Sequence, residues 1–285
     1  MDVSAILISA LILGSVGLVF GGLIAFANRT FKVYEDPRIS GTVEFLPGNN
    51  CGACGFPGCQ GFAEGLVQGK AEPSGCSVLG PEGVADVASY LGVDAGEKKK
   101  VVARLLCAGG TDVALQKAAY LGLPTCGAAA AVSGGGKGCP WGCLSLADCE
   151  TACGFDAIQM SETGLPVVDP VKCTACGDCV EACPKDLFEL MPIEQHLIVQ
   201  CKNLLEGESA EELCKVACTG CGRCAADAKD GLIEIVDGLA VINYDKNDLA
   251  GVEAIGRCPT NAIVWVTESQ FENLSLASLA RSIRA

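Results

Sequence analysis

The chain has 285 residues, a formal charge of −14, half of its residues apolar but only 5% aromatic, and twenty cysteines. That length suggests two or three domains, and so acidic a surface argues against nucleic acid and anionic lipid as partners. The cysteine count alone would suit a secreted disulfide scaffold or zinc knuckles, but most of the spacings are those of iron–sulfur ligands.

In chain order, Val3 to Ala27 carries no charged residue. As a helix these 25 residues would span roughly 38 Å, against a hydrocarbon core of about 30 Å. We expect a single transmembrane anchor over residues 1–28. A cleaved signal peptide would need a basic leader, and only Asp2 precedes the apolar run. Arg29 and Lys32 follow directly, and the positive-inside rule puts the body on the cytoplasmic side of the cell membrane. Gly17, Gly21 and Ala25 recur every four residues, which fits either a partner membrane helix or a glycine-tolerant lone span. Residues 29–47 read as an extended connector broken by Pro37 and Pro47.

A small four-cysteine domain is expected over 48–92. Cys51, Cys54, Cys59 and Cys76 stand as C-x2-C-x4-C-x16-C, a self-contained [4Fe–4S] site with glycines that let backbone amides face sulfur. Phe62, Leu66 and Val67, at helical spacing, supply its apolar backing. Residues 93–106 read as a linker. Its Lys98-Lys99-Lys100 run is either solvated surface or a basic docking spot for an acidic redox partner.

Residues 107–267 read as a polyferredoxin domain and 268–285 as a short polar helical tail. The expected fold class is therefore α+β: an N-terminal transmembrane helix, a four-cysteine domain, and bacterial-type ferredoxin-like βαβ pseudo-repeats. Cys173, Cys176, Cys179 and Cys183-Pro184 form the complete bacterial ferredoxin run, whose last cysteine serves the neighbouring cluster. A degenerate partner run has Cys143, Leu146 in place of a ligand, Cys149 and Cys153. One cluster is then expected on Cys173, Cys176, Cys179 and Cys153. Its neighbour takes Cys143, Cys149, Cys183 and a recruited cysteine, for which Cys139 is nearest in sequence. A second pair offers Cys218, Cys221, Cys224 and the detached Cys258-Pro259, with Ala228, Asp248, Gly251 and Ala254 where further ligands would stand. It keeps one cluster. Cys107, Cys126, Cys201 and Cys214 remain for a fifth, so the count closes at five cubes with no spare thiol. Five such clusters would add about −10 to the charge.

The anchor, the Cys51–Cys76 unit and the ferredoxin body together resemble the B subunit of the Rnf complex family, as do Lys137-Gly138-Cys139-Pro140-Trp141-Gly142-Cys143 and Cys149-x3-Cys153-Gly154-Phe155-Asp156-Ala157-Ile158. Many members of that family have proline where Gly154 stands, at a position that is not a ligand. The resemblance implies an electron-transfer subunit of a membrane-bound, Na+- or H+-pumping ferredoxin:NAD oxidoreductase. It would take electrons from reduced soluble ferredoxin and pass them to the other Rnf-type membrane and peripheral subunits.

No residue is expected to be catalytic, and the chain offers no convincing nucleotide motif, so NAD and flavin belong to partners. Gly134 to Gly138 reads as a flexible approach to Cys139, and the lone His196 as structural. Asp148, Asp156 and Asp178 stand beside ligands as solvated surface or as charges that lower a potential. The rival readings are a polyferredoxin arm of another membrane dehydrogenase or hydrogenase, an iron–sulfur partner in corrinoid or methyl transfer, and an iron–sulfur storage scaffold.

Overall fold

The computed structural model describes residues 3–31, 36–97 and 99–271. Asp2, Lys32, Lys98 and residues 272–285 of the expected tail lie outside the described residues. The first helix, α1 (Val3–Thr30), runs 28 residues without an interior proline, about 42 Å at 1.5 Å per residue. It is long and apolar enough, over Ala10–Thr30, to cross a membrane. Its described large apolar side chains stand exposed, Leu18 at 80%, and no atom comes within 4 Å of the Cβ positions of Gly17 and Gly21. Water is a poor solvent for such a surface.

The expected extended connector is in part a helix. Asp36 accepts a hydrogen bond from the Arg38 N–H and Pro37 takes the first helical position, so α2 (Pro37–Phe45) starts where a breaker was expected. A side-chain N-cap followed by proline is a start signal, because both deal with amides that lack a helical partner. Thr42 is fully buried, and Ile39 and Val43 pack on the core of the next unit. There α3 (Gly58–Val67) buries Phe62, Ala63 and Leu66 against Leu46, Val84 and Val87, while Val67 is only half-buried. Phe56 meets Phe62 edge to face at 5.7 Å. The second long helix of the unit, α4 (Pro81–Leu91), ends on Gly92 at φ +67°, a backbone turn that glycine takes without a Cβ clash.

The expected linker 93–106 ends in a core strand. In β1 (Val101–Leu105), Val102, Ala103 and Leu105 are at most 1% exposed. A strand buried on both faces is built mostly of apolar residues, and Arg104 is the one charged residue in β1. After it come α5 (Cys126–Ala131), α6 (Asp148–Ala152), β2 (Ile158–Met160), β3 (Pro166–Val168), α7 (Asp178–Ala182) and β4 (Phe188–Pro192). Next are β5 (Leu197–Val199), α8 (Gly207–Leu213), α9 (Arg223–Asp227), β6 (Ile233–Val236), β7 (Leu239–Ile242) and β8 (Ile263–Trp265). All four pairings are antiparallel: β1 with β4, β2 with β3, β5 with β8, and β6 with β7. Asp237 and Gly238, both at positive φ, close the β6–β7 hairpin, the turn geometry that matches strand twist.

The start of the tail also belongs to the core. Gln270, 3% exposed, accepts from the Leu105 N–H (2.8 Å) and donates to the Leu105 carbonyl (3.0 Å). Arg104, 2% exposed on the face of β1 opposite Ala103, donates to the Glu268 carbonyl at 2.8 Å, and its Nε and Nη2 have no partner.

Candidate metal centres

Three short helices present cysteine in one repeated way. Ala147, Gly177 and Gly222, all left-handed, precede α6, α7 and α9, whose second residues are Cys149, Cys179 and Cys224. A second repeat closes each run. Three residues beyond Cys153, Cys183 and Cys258 stand Asp156, Asp186 and Asn261, at φ +50°, +51° and +54°. Asp and Asn tolerate this region better than other non-glycine residues. The turn aims the next N–H back at sulfur: Ala157 N–H to Cys153 Sγ at 3.4 Å, and Leu187 N–H to Cys183 Sγ at 3.5 Å. At Cys258, burial raises the thiol's pKa. The N–H groups of Ile263, Thr260 and Ala262 and the Thr260 hydroxyl outweigh it, and the net value lies below that of an ordinary cysteine. Asp156 thus shapes a turn. Asp148 accepts the Gly127 N–H at 3.0 Å.

Four cavities are walled by four thiols apiece. Cys51, Cys54, Cys59 and Cys76 line the first, where the Asn50 side chain accepts the Cys59 N–H at 2.8 Å. Cys153, Cys173, Cys176 and Cys179 line the second, and the Ala103 N–H of β1 faces Cys173 Sγ at 3.5 Å. Cys218, Cys221, Cys224 and Cys258 line the third. The fourth brings together Cys107, Cys139, Cys201 and Cys214.

Here the structure departs from the expected sets. Sequence proximity groups Cys139 with Cys143, Cys149 and Cys183, and leaves Cys126 among the remaining thiols; in the fold the two change places. Cys126 opens α5, whose amino end is tied to α6 by the Gly127–Asp148 hydrogen bond. The thiols whose charges bear on Cys149 are Cys143, Cys126 and Cys183. Cys126 therefore stands near Cys149 together with Cys143 and Cys183, in the run that has Leu146 in place of a cysteine. Cys139, 32 residues on from Cys107, joins it because two insertions meet. Cys107 lies two residues past β1 and Cys201 two past β5, and the insertions that follow them are laced by Ala108 N–H to Gln200 O (3.0 Å) and Leu115 N–H to Leu213 O (2.9 Å).

Three of the thiol sets also touch one another in a row. The Cys143 N–H donates to Cys107 Sγ at 3.5 Å, and the Cys218 N–H donates to Cys201. Burial, reinforced by neighbouring thiols, pushes Cys143 up to about 11 and Cys149, Cys179 and Cys201 to about 12; Cys224 rises to about 11. Four thiolates gathered in an apolar wall are costly until a cationic core sits between them. All twenty cysteines are free. Among the described residues, no three Cys, His, Asp or Glu side chains converge closely enough to hold a single metal ion. A lone zinc would need sulfurs at about 2.3 Å from the metal, whereas thiols spread round a cavity with N–H groups aimed at sulfur suit a multi-atom iron–sulfur group.

His196 is held within the fold. His196 Nδ1 donates to the Val266 carbonyl at 2.7 Å, and its ring stacks on Trp265. Gly134 to Gly138, expected as a flexible approach, is clamped instead: Gly136 O accepts the Lys117 N–H and the Gly138 N–H donates to Leu115 O.

A family profile for an Fe-S cluster matches residues 46–78, and one for a 4Fe-4S binding domain matches 165–188. The chain is 44% identical over 260 residues to the B subunit of the Na(+)-translocating ferredoxin:NAD(+) oxidoreductase complex of Acetobacterium woodii, covering 91% of this chain and 78% of the relative. It is 33% identical to the B subunit of the ion-translocating oxidoreductase complex of Methanosarcina acetivorans, over 91% of this chain and 98% of that one. The corresponding component of the proton-translocating ferredoxin:NAD(+) oxidoreductase complex of Clostridium ljungdahlii is also 33% identical, over 87% and 88%. With that identity along almost the whole chain, including both iron–sulfur regions, this protein belongs to the family of B subunits of ion-translocating ferredoxin:NAD oxidoreductase (Rnf) complexes.

Proposed function

We propose that the chain is the membrane-anchored iron–sulfur electron-transfer subunit of an ion-pumping ferredoxin:NAD oxidoreductase, working beside the other subunits of that complex. The observation that carries this reading is the gathering of thiols in sets of four with backbone N–H groups aimed at sulfur. Five [4Fe–4S] clusters would be held, on Cys51/Cys54/Cys59/Cys76, Cys153/Cys173/Cys176/Cys179, Cys126/Cys143/Cys149/Cys183, Cys107/Cys139/Cys201/Cys214 and Cys218/Cys221/Cys224/Cys258. Such a cluster, when bound, exchanges single electrons at a potential set by its surroundings. The chain's own part is to hold the thiols at fixed separation, to direct N–H groups at them and to keep water out.

Two ferredoxin-like modules account for the body. β1, α6, β2–β3, α7 and β4 form one. β5, α9, β6–β7, the turn at Val252–Ile255 and β8 form the other, with the same order and the same strand pairings. The membrane anchor would be α1, and Arg29 would keep the body on the cytoplasmic side. Reduced soluble ferredoxin is the proposed donor. Cys51 and Cys221, the two exposed thiols, mark the sets that a docked partner approaches most closely. NAD reduction would fall to partner subunits.

Iron and acid-labile sulfide per chain, measured on anaerobically purified protein, test this reading. About twenty of each is expected. About sixteen would remove one site, and zinc in place of iron would overturn the electron-transfer role.

A further inference from the structure

The cavity walled by Cys107, Cys139, Cys201 and Cys214 differs from the other three in the chemistry of its lining. It contains two lysines, Lys137 and Lys202, whereas the other three cavities contain none. Lys202 is turned aside, with its ammonium held by the Asp186 carbonyl. Lys137 is not. Its Nζ donates to the Gly109 carbonyl at 2.5 Å, and Gly109 lies so close to two of the thiols that a Cβ there would stand 3.1 Å from Cys214 Sγ and 3.6 Å from Cys107 Sγ. Gly142, in the run that joins Cys139 to Cys143, lies against the Lys137 Cε.

The same wall carries an unused donor. Asn203 is 1% exposed; its N–H donates to Cys201 Sγ (3.4 Å) and its Oδ1 accepts the Leu205 N–H (3.1 Å). The Leu205 contact fixes which end of the amide is oxygen, so the other end is an NH2. That Nδ2 is buried with no hydrogen-bond partner in the protein, although Asn203 lines the cavity. A buried donor left unpaired costs about 1–3 kcal/mol, a cost removed if sulfur of the bound group accepts from it.

Reduction of an iron–sulfur group adds one negative charge, which a nearby fixed cation and hydrogen bonds to sulfur both stabilise. We propose that Lys137 and Asn203 make the Cys107/Cys139/Cys201/Cys214 centre more oxidising than the centres of the other three cavities, so that an electron entering the chain settles there in preference to them. The position suits the role. Through the Cys143 N–H on one side and the Cys218 N–H on the other, this set touches both of its neighbours in the row. A sink between two relays holds an electron while the second module or a partner becomes ready. Both residues act through the bound group and are positioning residues. The inference rests on the five-site reading above.

The test is a redox titration, followed by electron paramagnetic resonance, of the full-length protein in detergent, with iron counted in every sample. Native protein should show about twenty irons and one signal that is reduced ahead of those from the other three cavities. Lys137→Met should move that signal furthest to more negative potential, with at most a smaller shift of the neighbouring Cys143 set, and Lys137→Arg should leave it near its native place. Asn203→Asp keeps the oxygen that accepts the Leu205 N–H and should move the same signal in the same direction. Unmoved potentials at full iron content, or a uniform shift of all signals, would overturn the proposal. So would loss of about four irons in both Lys137→Met and Asn203→Asp, because the two residues would then be struts. About sixteen irons in the native protein would instead overturn the five-site reading on which the proposal stands.

Discussion

Cys126→Ala tests the regrouping of thiols most directly, provided that it is combined with Cys149→Ala. Each residue belongs to one four-thiol set, and a set deprived of one ligand gives up at most about four irons of about twenty. In the proposed grouping Cys126 and Cys149 fall in the same set, brought together by the α5–α6 contact, with Cys126 among the thiols that bear on Cys149. Their losses therefore overlap: each single variant and the double variant should all retain about sixteen irons. Cys139 lies instead in the cavity with Cys107, Cys201 and Cys214, so Cys139→Ala with Cys149→Ala removes two sites and leaves about twelve. Non-additivity between groups that act as one unit is the general diagnostic. If a three-iron remnant survives in a damaged site, each loss shrinks to about one iron, but the contrast between overlap and addition persists. The assay is iron and sulfide analysis of anaerobically prepared protein, with resonance spectra to identify the missing centre. Additive loss for Cys126 with Cys149, or overlapping loss for Cys139 with Cys149, would refute the regrouping.

Gln270→Ala leaves the buried N–H and C=O of Leu105 without partners, at about 1–3 kcal/mol each; the thermal midpoint of the iron-loaded protein should fall by several degrees, and an unchanged midpoint would refute the clamp. Phe62→Ala empties the centre of the α2–α4 core and should cost about 3–5 kcal/mol, with iron lost from the Cys51 set while the spectra of the other centres persist. Asp186→Val places a branched side chain at φ +51° and should destabilise by about 1–2 kcal/mol, whereas Asp186→Gly should be nearly neutral. Equal stabilities for the two would show that the left-handed turn behind Cys183 is not required.

Much of this protein is legible in one dimension. The α1 helix is written as an uninterrupted apolar run, and the Cys51–Cys59, Cys173–Cys179 and Cys218–Cys224 spacings are local, because tight turns and the start of a helix place those thiols round a single cavity. Short-range geometry has little room to vary, so spacing alone reports it. The α2 helix is written there as well, in Asp36 and Pro37, but a proline that reads as a breaker hides a start signal. Likewise β1 is hidden by the lysines before it, although Val101 to Leu106 is apolar at every position but Arg104.

Only the tertiary structure could divide Cys107, Cys126, Cys139, Cys201 and Cys214 between two sets. Those thiols are carried on long insertions, and what joins them is the lacing of residues 108–115 to residues 200–213 and the docking of α5 on α6. Distance along the chain says nothing about such meetings. Nearness in sequence points Cys139 toward Cys143, and packing directs it to Cys107 instead. The same packing leaves Lys137 and the unpaired Asn203 amide in one wall. No motif announces them, because their meaning depends on what faces them across the cavity.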